Sequence, residues 1–522
     1  MDAYKGNILE RQKIVLLGSS LRVASLAATT VVGFLLMPFV VHRLGDQSYG
    51  YWVLVGAVLG YYGVLDLGIV TAVQFQVAKA LGDGDPDSAN RTISTAFYTF
   101  AGLGTVVFLI TVVIASLSRF LIPTAADVST FRTVLLIAGV DCAVGFPGRA
   151  FAGALSAHLR YDLTSSVGIL VLILRTALVV VIVGAGGGIV ALALITFLTD
   201  GVGFVLNYFV LCKIQENLQI SIRLATWRTI RELFHYSKFA LVVQVSDQLR
   251  FSVDGWMVGV FVGVSAVTHY GVAARLSQAF LALIIAVVGI LSPWFSQLLG
   301  GSDFDGIRRV FELGTKVSAV ISTIVALSLV LYGHVFVEKW MGPRYLDAYW
   351  PLVILVAGIF CDVSQLPSVS YMYGVSRHRF LACLTLAEGV SNLGLSIYWA
   401  RHYGMIGVAL GSLVPMAIAK LFIQPAYVCR HLEIPIARYY LKLLGRSIIV
   451  PAASSVLCWA LFFRKAHFAS IEAVCLTIVG QALVCAVLAF FLSFDRGERH
   501  SVLSRIPTLR QPQLQPIKSS NS

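Results

Sequence analysis

The chain has 522 residues, of which 58% are hydrophobic and only 12% are charged, and its mean hydropathy is +0.84. Soluble domains carry about 25% charged residues, so this composition excludes an ordinary soluble fold. The formal net charge of +13 could suggest a nucleic-acid partner. A membrane protein, however, gathers Lys and Arg in its cytoplasmic loops, and we therefore expect no nucleic acid.

Apolar stretches near the length of a membrane-crossing helix begin close to the N-terminus. A helix of roughly 20 residues crosses ~30 Å of hydrocarbon. The first residues lack a short apolar core followed by a small-residue cleavage site, so we predict no cleaved secretory signal. Six spans are predicted at 21–41, 51–70, 96–117, 134–154, 167–184 and 189–210. They make up a predicted N-terminal six-helix lobe, residues 1–212.

The second part of the chain repeats this organisation. A polar, basic stretch at 213–238 is predicted as a cytoplasmic linker. The C-terminal six-helix lobe, residues 239–430, has predicted spans at 239–262, 278–298, 317–336, 352–371, 381–398 and 405–422. Two extra spans lie within 431–494, at 448–463 and 474–494. Residues 495–522 are rich in Pro, Gln and Ser and are predicted as a disordered cytoplasmic tail.

The predicted fold is therefore an all-α polytopic membrane protein with about fourteen transmembrane helices; twelve is the alternative. Lys and Arg are sparse in every second loop, and these loops form the predicted outer side. Their basic residues are Arg43, Arg119, Arg132, Lys339, Arg344, Arg401, Arg464 and Lys465. Most of the 39 basic residues lie in the other loops or the tail. This asymmetry predicts an even number of spans with both termini in the cytoplasm.

A faint internal repeat relates the two lobes. Tyr49-Gly50 lies between the first two spans, and Tyr270-Gly271 lies between the seventh and eighth. Gly186 precedes a Val-Ala-Leu at the sixth span, and Gly404 precedes the same triplet at the twelfth. Both offsets are about 220 residues and join helices of the same rank, which indicates a parallel duplication with pseudo-twofold symmetry.

The N-terminal motifs resemble those of a known family. Pro38-Phe39, Leu44-Gly45, Tyr49-Gly50-Tyr51-Trp52, Leu65-Asp66-Leu67-Gly68 and Val77-Ala78-Lys79 look like the opening of bacterial polysaccharide-biosynthesis flippases. These belong to the multidrug/oligosaccharidyl-lipid/polysaccharide exporter superfamily. The sharp motif covers the first ~80 residues, while the length, span number and repeat fit over the whole chain.

Three charges in the seventh predicted span form one candidate group. Asp247 precedes Arg250 by three residues and Asp254 follows it by four, so one helical face would hold all three. Because a charged group at mid-bilayer is energetically unfavourable, it is usually paired, faces a water-filled cavity or has a functional role. The group is either a structural pair or a cavity-lining cation that is held by its partners until anionic substrate arrives.

Other candidate cations are spread over both lobes. Arg175 is central in the fifth span with no carboxylate within four residues, so its partner must come from another helix or a ligand. Arg22 lies toward the cytoplasmic end of the first span, where snorkelling of its side chain to the lipid headgroups explains the charge as well as a binding role does. Arg275 lies toward the outer end of the eighth span. If the repeat holds, Arg22, Arg250 and Arg275 sit on helices that face each other across a central cleft.

Two further candidates are tied to helix distortions. Arg149 follows Pro147-Gly148, where the fourth span should kink. Asp66 belongs to the family-like motif and is expected to serve packing and helix bending first, and ion coupling second. The other intramembrane charges are interpreted mainly as buried polar or helix-end residues: Asp141, Asp200, Asp362, Glu388 and Lys420.

The resemblance implies a flippase that works by alternating access. It would move a polyprenyl-(pyro)phosphate-linked oligosaccharide across the bacterial cytoplasmic (inner) membrane for O-antigen, capsule or exopolysaccharide synthesis, with a polymerase or ligase as a further partner. Guanidinium groups suit this cargo because they grip phosphate oxygens in bidentate fashion. We predict no enzymatic activity, no catalytic residue and no cofactor. The eight isolated cysteines predict neither a disulfide nor a metal site.

Two alternatives stay open on the sequence. A cation-coupled multidrug exporter of the same superfamily would share the fold and the repeat, although the first span carries Arg22 and no carboxylate. A membrane sugar polymerase or glycosyltransferase usually presents a sizeable outer loop. The predicted outer loops here are all short, which leaves little material for a catalytic site.

Overall fold

The computed structural model describes residues 2–121, 125–215, 218–288, 304–375, 378–463 and 468–503. The described residues are almost entirely helical and contain no strand. Helices of the first half are α1 Asp2–Leu44, α2 Asp46–Gly63, α3 Ile69–Gly82, α4 Pro86–Leu121, α5 Ala125–Gly145, α6 Gly148–Ala157, α7 Tyr161–Gly184 and α8 Ile189–Ile214. The linker contains a 3₁₀ turn at Ile222–Leu224.

Helices of the second half are α9 Trp227–Phe251, α10 Val253–Phe261, α11 Val264–Val288, α12 Phe304–Met341, α13 Tyr349–Val363, α14 Leu366–Gly374, α15 His378–Ile418, α16 Gln424–His431, α17 Arg446–Cys458, α18 Ile471–Ser493 and α19 Arg496–Leu503. The start of the predicted disordered tail is thus a helix. Residues 504–522 lie outside the described part of the chain.

Eleven helical segments of the described residues are long and apolar enough to cross a membrane. The segment 379–431 contains two of the predicted spans, and the predicted span at 278–298 lies partly outside the described residues. Large apolar side chains project outward along the segments, as for Leu35 and Leu476. This exposure is expected where lipid rather than water is the solvent. The count of fourteen stays a prediction.

Several spans are interrupted where the sequence favours a break. The second span continues past α2 through a 3₁₀ turn at Val64–Asp66, after which Leu67 and Gly68 are left-handed, before α3 begins. The fourth span is divided at Phe146-Pro147, between α5 and α6, where a kink is predicted. These interruptions leave Asp66 and Arg149 beside non-helical backbone.

Gly404 marks the boundary between the predicted eleventh and twelfth spans. Its φ of 56° and ψ of −133° lie outside the helical region although α15 runs on both sides. A side chain there would meet only Val262 at an ordinary 3.8 Å, so the requirement for glycine comes from the backbone.

Gly404→Ala is expected to destabilise the protein by about 1–3 kcal/mol, since a Cβ strains this backbone conformation. Gly394→Ala is the matched control, because this glycine lies in the same helix with open space at its Cβ. Thermal unfolding in detergent compares the two variants with the wild type. Equal melting temperatures for both variants would contradict the strained geometry.

The described chain divides into two compact units. The described residues within 1–279, 337–358 and 377–419 form unit 1, and those within 280–336, 359–376 and 420–503 form unit 2. The core of unit 1 contains Phe100, Phe131, Phe146 and Phe151 at the centre of a large apolar cluster. Unit 2 has a smaller cluster of Val320, Ile324, Cys485, Ala489 and Phe494. The two-lobe division predicted from the repeat stays a prediction.

Candidate functional site

A buried ion pair joins α9 to α15 within unit 1. Arg250 Nε lies 2.6 Å from Glu388 Oε1, and the two side chains are only 5% and 2% exposed. Asp247, one turn before Arg250, approaches Nη1 at 3.6 Å but is half exposed. A buried charge is tolerated when it is paired and hydrogen-bonded. Arg250 is therefore held inside the protein by two carboxylates, and one of them, Glu388, was predicted to be only a buried polar or helix-end residue.

Asp254 takes part in a separate hydrogen-bond network. The helix break at Ser252 separates it from Arg250, and its carboxylate accepts hydrogen bonds from Tyr270 Oη at 2.6 Å and from the Ser412 hydroxyl at 2.9 Å. Asn392 of α15 donates to the backbone carbonyl of Arg250 at 3.1 Å. Of the two predicted partners of Arg250, Asp247 pairs with it, whereas Asp254 binds the hydroxyl groups of α11 and α15.

Arg175 finds its partners on the neighbouring helix α8. Its Nε donates to the Thr199 hydroxyl at 3.0 Å, and its Nη2 pairs with Asp200 Oδ1. The Arg175 and Asp200 side chains remain about one-third and one-half exposed. Arg175 is therefore paired and also accessible, unlike the buried Arg250.

Arg275 of α11 lies against α1. Its guanidinium occupies the space beside Gly33, where a Cβ would collide with it. The Arg275 charge also acts electrostatically on Tyr49 of α2. Helices α1 and α11 therefore approach each other around this half-buried cation, whereas the central cleft expected from the repeat stays a prediction.

Arg22 and Arg149 contact aromatic rings. Arg22 Cζ lies 5.4 Å from the ring centroid of Tyr161, and the Arg22 side chain is exposed. Arg149 lies 4.2 Å from the Phe146 ring and 4.0 Å from Asp66 Oδ2. Asp66 Oδ1 also accepts a hydrogen bond from the backbone N–H of Val70 at 3.4 Å, at the start of α3. Asp66 therefore contacts both Arg149 and the start of α3, and its role in packing and bending stays a prediction.

A cluster around Asp46 was not predicted from the sequence. Asp46 is 6% exposed at the start of α2, and its Oδ2 lies 2.6 Å from Arg344 Nη2. Tyr345 Oη donates to its Oδ1, and Thr268 donates to its backbone carbonyl at 2.6 Å. His269 Nε2 approaches the carboxylate at 3.6 Å. The cluster therefore fastens the start of α2 to α11 and to the Pro343–Ala348 turn.

His269 makes this cluster sensitive to pH. His269 precedes the predicted eighth span, and its pKa is raised chiefly by the hydrogen bond between its Nδ1 and Asp347, at 2.7 Å. The negative charges of Asp347 and Asp46 raise this pKa further, whereas burial of the ring lowers it. Arg344 is the other charged group facing the cluster. A raised folded-state pKa stabilises the fold below the unfolded pKa, and this contribution is lost as pH rises through the folded value.

His269→Gln is therefore expected to lower the melting temperature more at about pH 5.5 than at about pH 8.5. Thermal unfolding of both proteins at the two pH values measures this difference. Equal losses at both pH values would contradict a protonated His269 in the cluster.

Unit 2 has its own buried cation. Lys420 Nζ lies 3.0 Å from Asp362 Oδ1, and the lysine side chain is 2% exposed. Lys420 also donates to Gln424 Oε1 at 3.3 Å. Lys420 is therefore buried and paired, and the structural role of the two charges stays a prediction. Within the described residues no group of three or more His, Cys, Asp or Glu side chains could hold a metal ion.

An apolar cavity of about 540 Å³ lies within unit 1. It is lined mainly by aliphatic and aromatic side chains, among them Tyr61, Tyr62, Ile114, Trp256 and Met257. These residues come from α2, α4 and α10. Such a lining suits hydrocarbon rather than a charged headgroup.

Known proteins resemble the chain over most of its length. It is 22% identical over 480 residues to an uncharacterized membrane protein, EpsK, of Bacillus subtilis, covering 90% of this chain and 93% of that protein. It is 19% identical over 410 residues to a putative O-antigen transporter of Shigella flexneri, covering 77% and 94%. The solved lipid II flippase MurJ, in an inward closed conformation, superposes with a TM-score of 0.67 at 14% identity, covering 94% of this chain and 100% of that one.

The MurJ likeness establishes a shared helical fold. The family model described as polysaccharide biosynthesis protein matches residues 44–349, which is more than half of the chain. The matched region includes the Leu-Asp-Leu-Gly motif with Asp66, the linker, and the cluster around Asp46. The chain is thus a multi-pass membrane protein that belongs to the polysaccharide biosynthesis protein family.

Proposed function

We propose that the protein is a transporter, not an enzyme, and that it flips a lipid-linked oligosaccharide across the bacterial cytoplasmic membrane. The carrier would be a polyprenyl (pyro)phosphate, and both termini would lie in the cytoplasm. The observation that carries the proposal is a set of arginines within a membrane-embedded helical bundle, among which Arg275 of α11 lies against α1. The family supports it, as do the names of the Shigella relative and of MurJ.

Arginine chemistry suits the anionic part of this cargo. A guanidinium offers a planar fork of donors that matches two phosphate oxygens, and it keeps its charge at any physiological pH. Arg175 and Arg275 are both partly accessible, so a phosphate could approach them without unfolding a helix. Arg250 is less suited to direct contact because Glu388 already holds it.

The isoprenoid part of the cargo suits the lipid and the apolar interior of the bundle. The isoprenoid chain would stay in the lipid or in apolar cavities of the bundle, since its burial in hydrocarbon costs nothing. The two lobes would alternate between inward and outward openings around the cations, as expected for a duplicated helical unit. A polymerase or ligase of the same surface-polysaccharide pathway would receive the product.

Arg275→Ala is expected to reduce transfer of a lipid-linked oligosaccharide by about tenfold or more, because a charge-assisted hydrogen bond is worth ~1.5–3 kcal/mol. Purified protein in liposomes with the lipid-linked oligosaccharide of the host pathway gives the measurement. Arg275→Lys should keep part of the rate, since it preserves the charge and loses the fork.

Arg228→Ala is the matched control, because this arginine is 90% exposed on α9 and forms its ion pair with Glu232 of the same helix. It should transfer at the wild-type rate. Folded wild-type protein that transfers no lipid-linked oligosaccharide would contradict the proposal. Efflux of cationic dyes in the same liposomes would favour the multidrug-exporter alternative.

A further inference from the structure

Helices of the first and second halves of the chain meet at one end of unit 1. Asp46 at the start of α2 accepts from Thr268 of α11 through its backbone carbonyl, and its carboxylate pairs with Arg344 in the turn after α12. Trp340 at the end of α12 donates from Nε1 to the Phe34 carbonyl of α1 at 3.0 Å, and the two rings stack with centroids 4.4 Å apart. Because the predicted topology assigns the connecting loops to the outer side, we call this set of contacts the outer seam.

A glycine allows the two halves to come this close. A Cβ at Gly50 of α2 would lie 2.2 Å from the backbone carbonyl oxygen of Val264, the first residue of α11. Packed backbone does not give way as the end of a flexible side chain does, so a larger residue at this position would push α2 and α11 apart. Closure of the outer seam therefore depends on Gly50, which belongs to the first copy of the repeated Tyr-Gly pair.

Further along α2 the two halves separate. The apolar cavity of about 540 Å³ is lined by Tyr61 and Tyr62 of α2 and by Trp256 and Met257 of α10. Because a helix rises 1.5 Å per residue, this cavity lies roughly 20 Å deeper than Asp46 along α2. Helices of the two halves therefore touch at the outer seam and leave open space below it.

The polar contacts of the outer seam are easily exchanged for contacts with water. The side chains of Arg344 and Asp347 are 74% and 51% exposed, and His269 contacts both Asp347 and Asp46. Ion pairs at such exposure contribute little to stability, because water solvates the separated charges well. A transport gate needs closed and open states whose free energies differ little. The exposed ion pairs of the outer seam therefore suit a contact that opens and closes.

We propose that the outer seam is the extracytoplasmic gate of the transport cycle, closed in this structure, and that it must open for the cargo to leave on the outer side. The inference rests on the proposed flippase function, whereas opening of the seam is measurable without transport. Opening separates α1 and α2 from α11 and from the turn after α12, and the released Asp46 carboxylate becomes hydrated. Asp46 and Gly50 are then positioning residues that set how tightly the gate closes.

Thiol labelling of detergent-purified protein tests the opening without cargo. Thr268→Cys places a reporter inside the seam, since Thr268 is fully buried. Its rate of modification by a water-soluble maleimide is followed by mass spectrometry of the labelled peptide. Adding Gly50→Ala should raise this rate by about fivefold or more, equivalent to roughly 1 kcal/mol, because the new Cβ holds the seam open. Gly56→Ala is the matched control, because this exposed glycine of α2 has open space at its Cβ.

A native thiol separates opening of the seam from general unfolding. Cys485 of α18 is fully buried in unit 2 and should be labelled equally slowly with Gly50→Ala and with Gly56→Ala. Equal rates at position 268 in the two variants would overturn the gate. A rise at both Cys485 and position 268 with Gly50→Ala would assign this glycine to folding, and it would equally count against the proposal.

A reversible cross-link tests whether transport needs the opening. Val53 of α2 lies across the seam from Gly271 of α11, with Val53 Cγ2 3.8 Å from the position of a Cβ at Gly271. Val53→Cys with Gly271→Cys should form a disulfide on oxidation, lose transfer of the lipid-linked oligosaccharide, and regain it on reduction. Val171→Cys with Gly203→Cys is the matched control. It joins α7 to α8 within the first half, where the corresponding distance is 3.2 Å, and should leave transfer unchanged.

The possible failures point to different claims. Undiminished transfer by the cross-linked Val53→Cys, Gly271→Cys protein would refute the gate. Absence of any wild-type transfer would instead contradict the proposed function, and the labelling rates at position 268 would still decide whether the outer seam opens.

Discussion

Glu388→Ala is expected to destabilise the protein by about 3–5 kcal/mol, because it removes the buried partner of a buried cation. Arg250 would keep Asp247, but that carboxylate is half exposed and 3.6 Å away, so it compensates only in part. The melting temperature in detergent should fall clearly below that of the wild type.

Two controls separate the ion pair from general damage. The double variant Arg250→Met with Glu388→Leu should recover much of the lost stability, since replacing a whole buried pair by apolar groups is often neutral or stabilising. Arg228→Ala should change stability by less than about 1 kcal/mol, because it breaks only an exposed pair. A Glu388→Ala protein as stable as the wild type would show that Arg250 does not depend on this carboxylate.

Asp46→Ala is expected to cost about 1.5–3 kcal/mol, because one buried carboxylate serves Arg344, Tyr345 and His269 at the same time. The Arg344 side chain is 74% exposed, so its share of the loss is the smaller part. Thermal unfolding at about pH 6–7 measures this loss of stability, because protonated His269 still contributes to the cluster in that pH range.

A double-mutant cycle with Tyr345→Phe checks the assignment of this loss. Asp46→Ala should cost less in the Tyr345→Phe background, because the hydroxyl that it leaves without an acceptor is already gone. Strictly additive losses would mean that the Tyr345 hydroxyl contributes nothing to holding Asp46.

The helical architecture could be predicted because it depends on local sequence. Apolar runs of membrane-crossing length, the Pro147-Gly148 break and the Gly404 boundary all express constraints that act within a few residues. The helix Arg496–Leu503 was missed, since its polar sequence has no apolar periodicity and the isolated segment favours disorder. Its Glu498 lies 2.7 Å from Lys316 of α12, a contact that local reasoning cannot see.

The candidate site was predictable as a list of charges and not as a set of partners. Asp254 follows Arg250 at helical spacing, yet the helix breaks at Ser252 between them, and Asp254 accepts hydrogen bonds from Tyr270 and Ser412 instead. Glu388 lies 138 positions from Arg250 in the numbering and still forms the close ion pair. Spacing rules apply only along one unbroken helix, so partners from other helices escape them.

The sequence by itself determined that the chain resides in a membrane, is helical, and carries an intramembrane arginine, Arg175, that its own helix cannot neutralise, because hydrophobicity and helix-local charge balance are properties of short segments. The tertiary structure decided that Arg250 is locked in a buried pair with Glu388, and that Arg175 remains accessible while it pairs with Asp200 of the neighbouring helix. These outcomes depend on the packing of helices that are distant along the chain, and their energies depend on burial, which no short segment specifies.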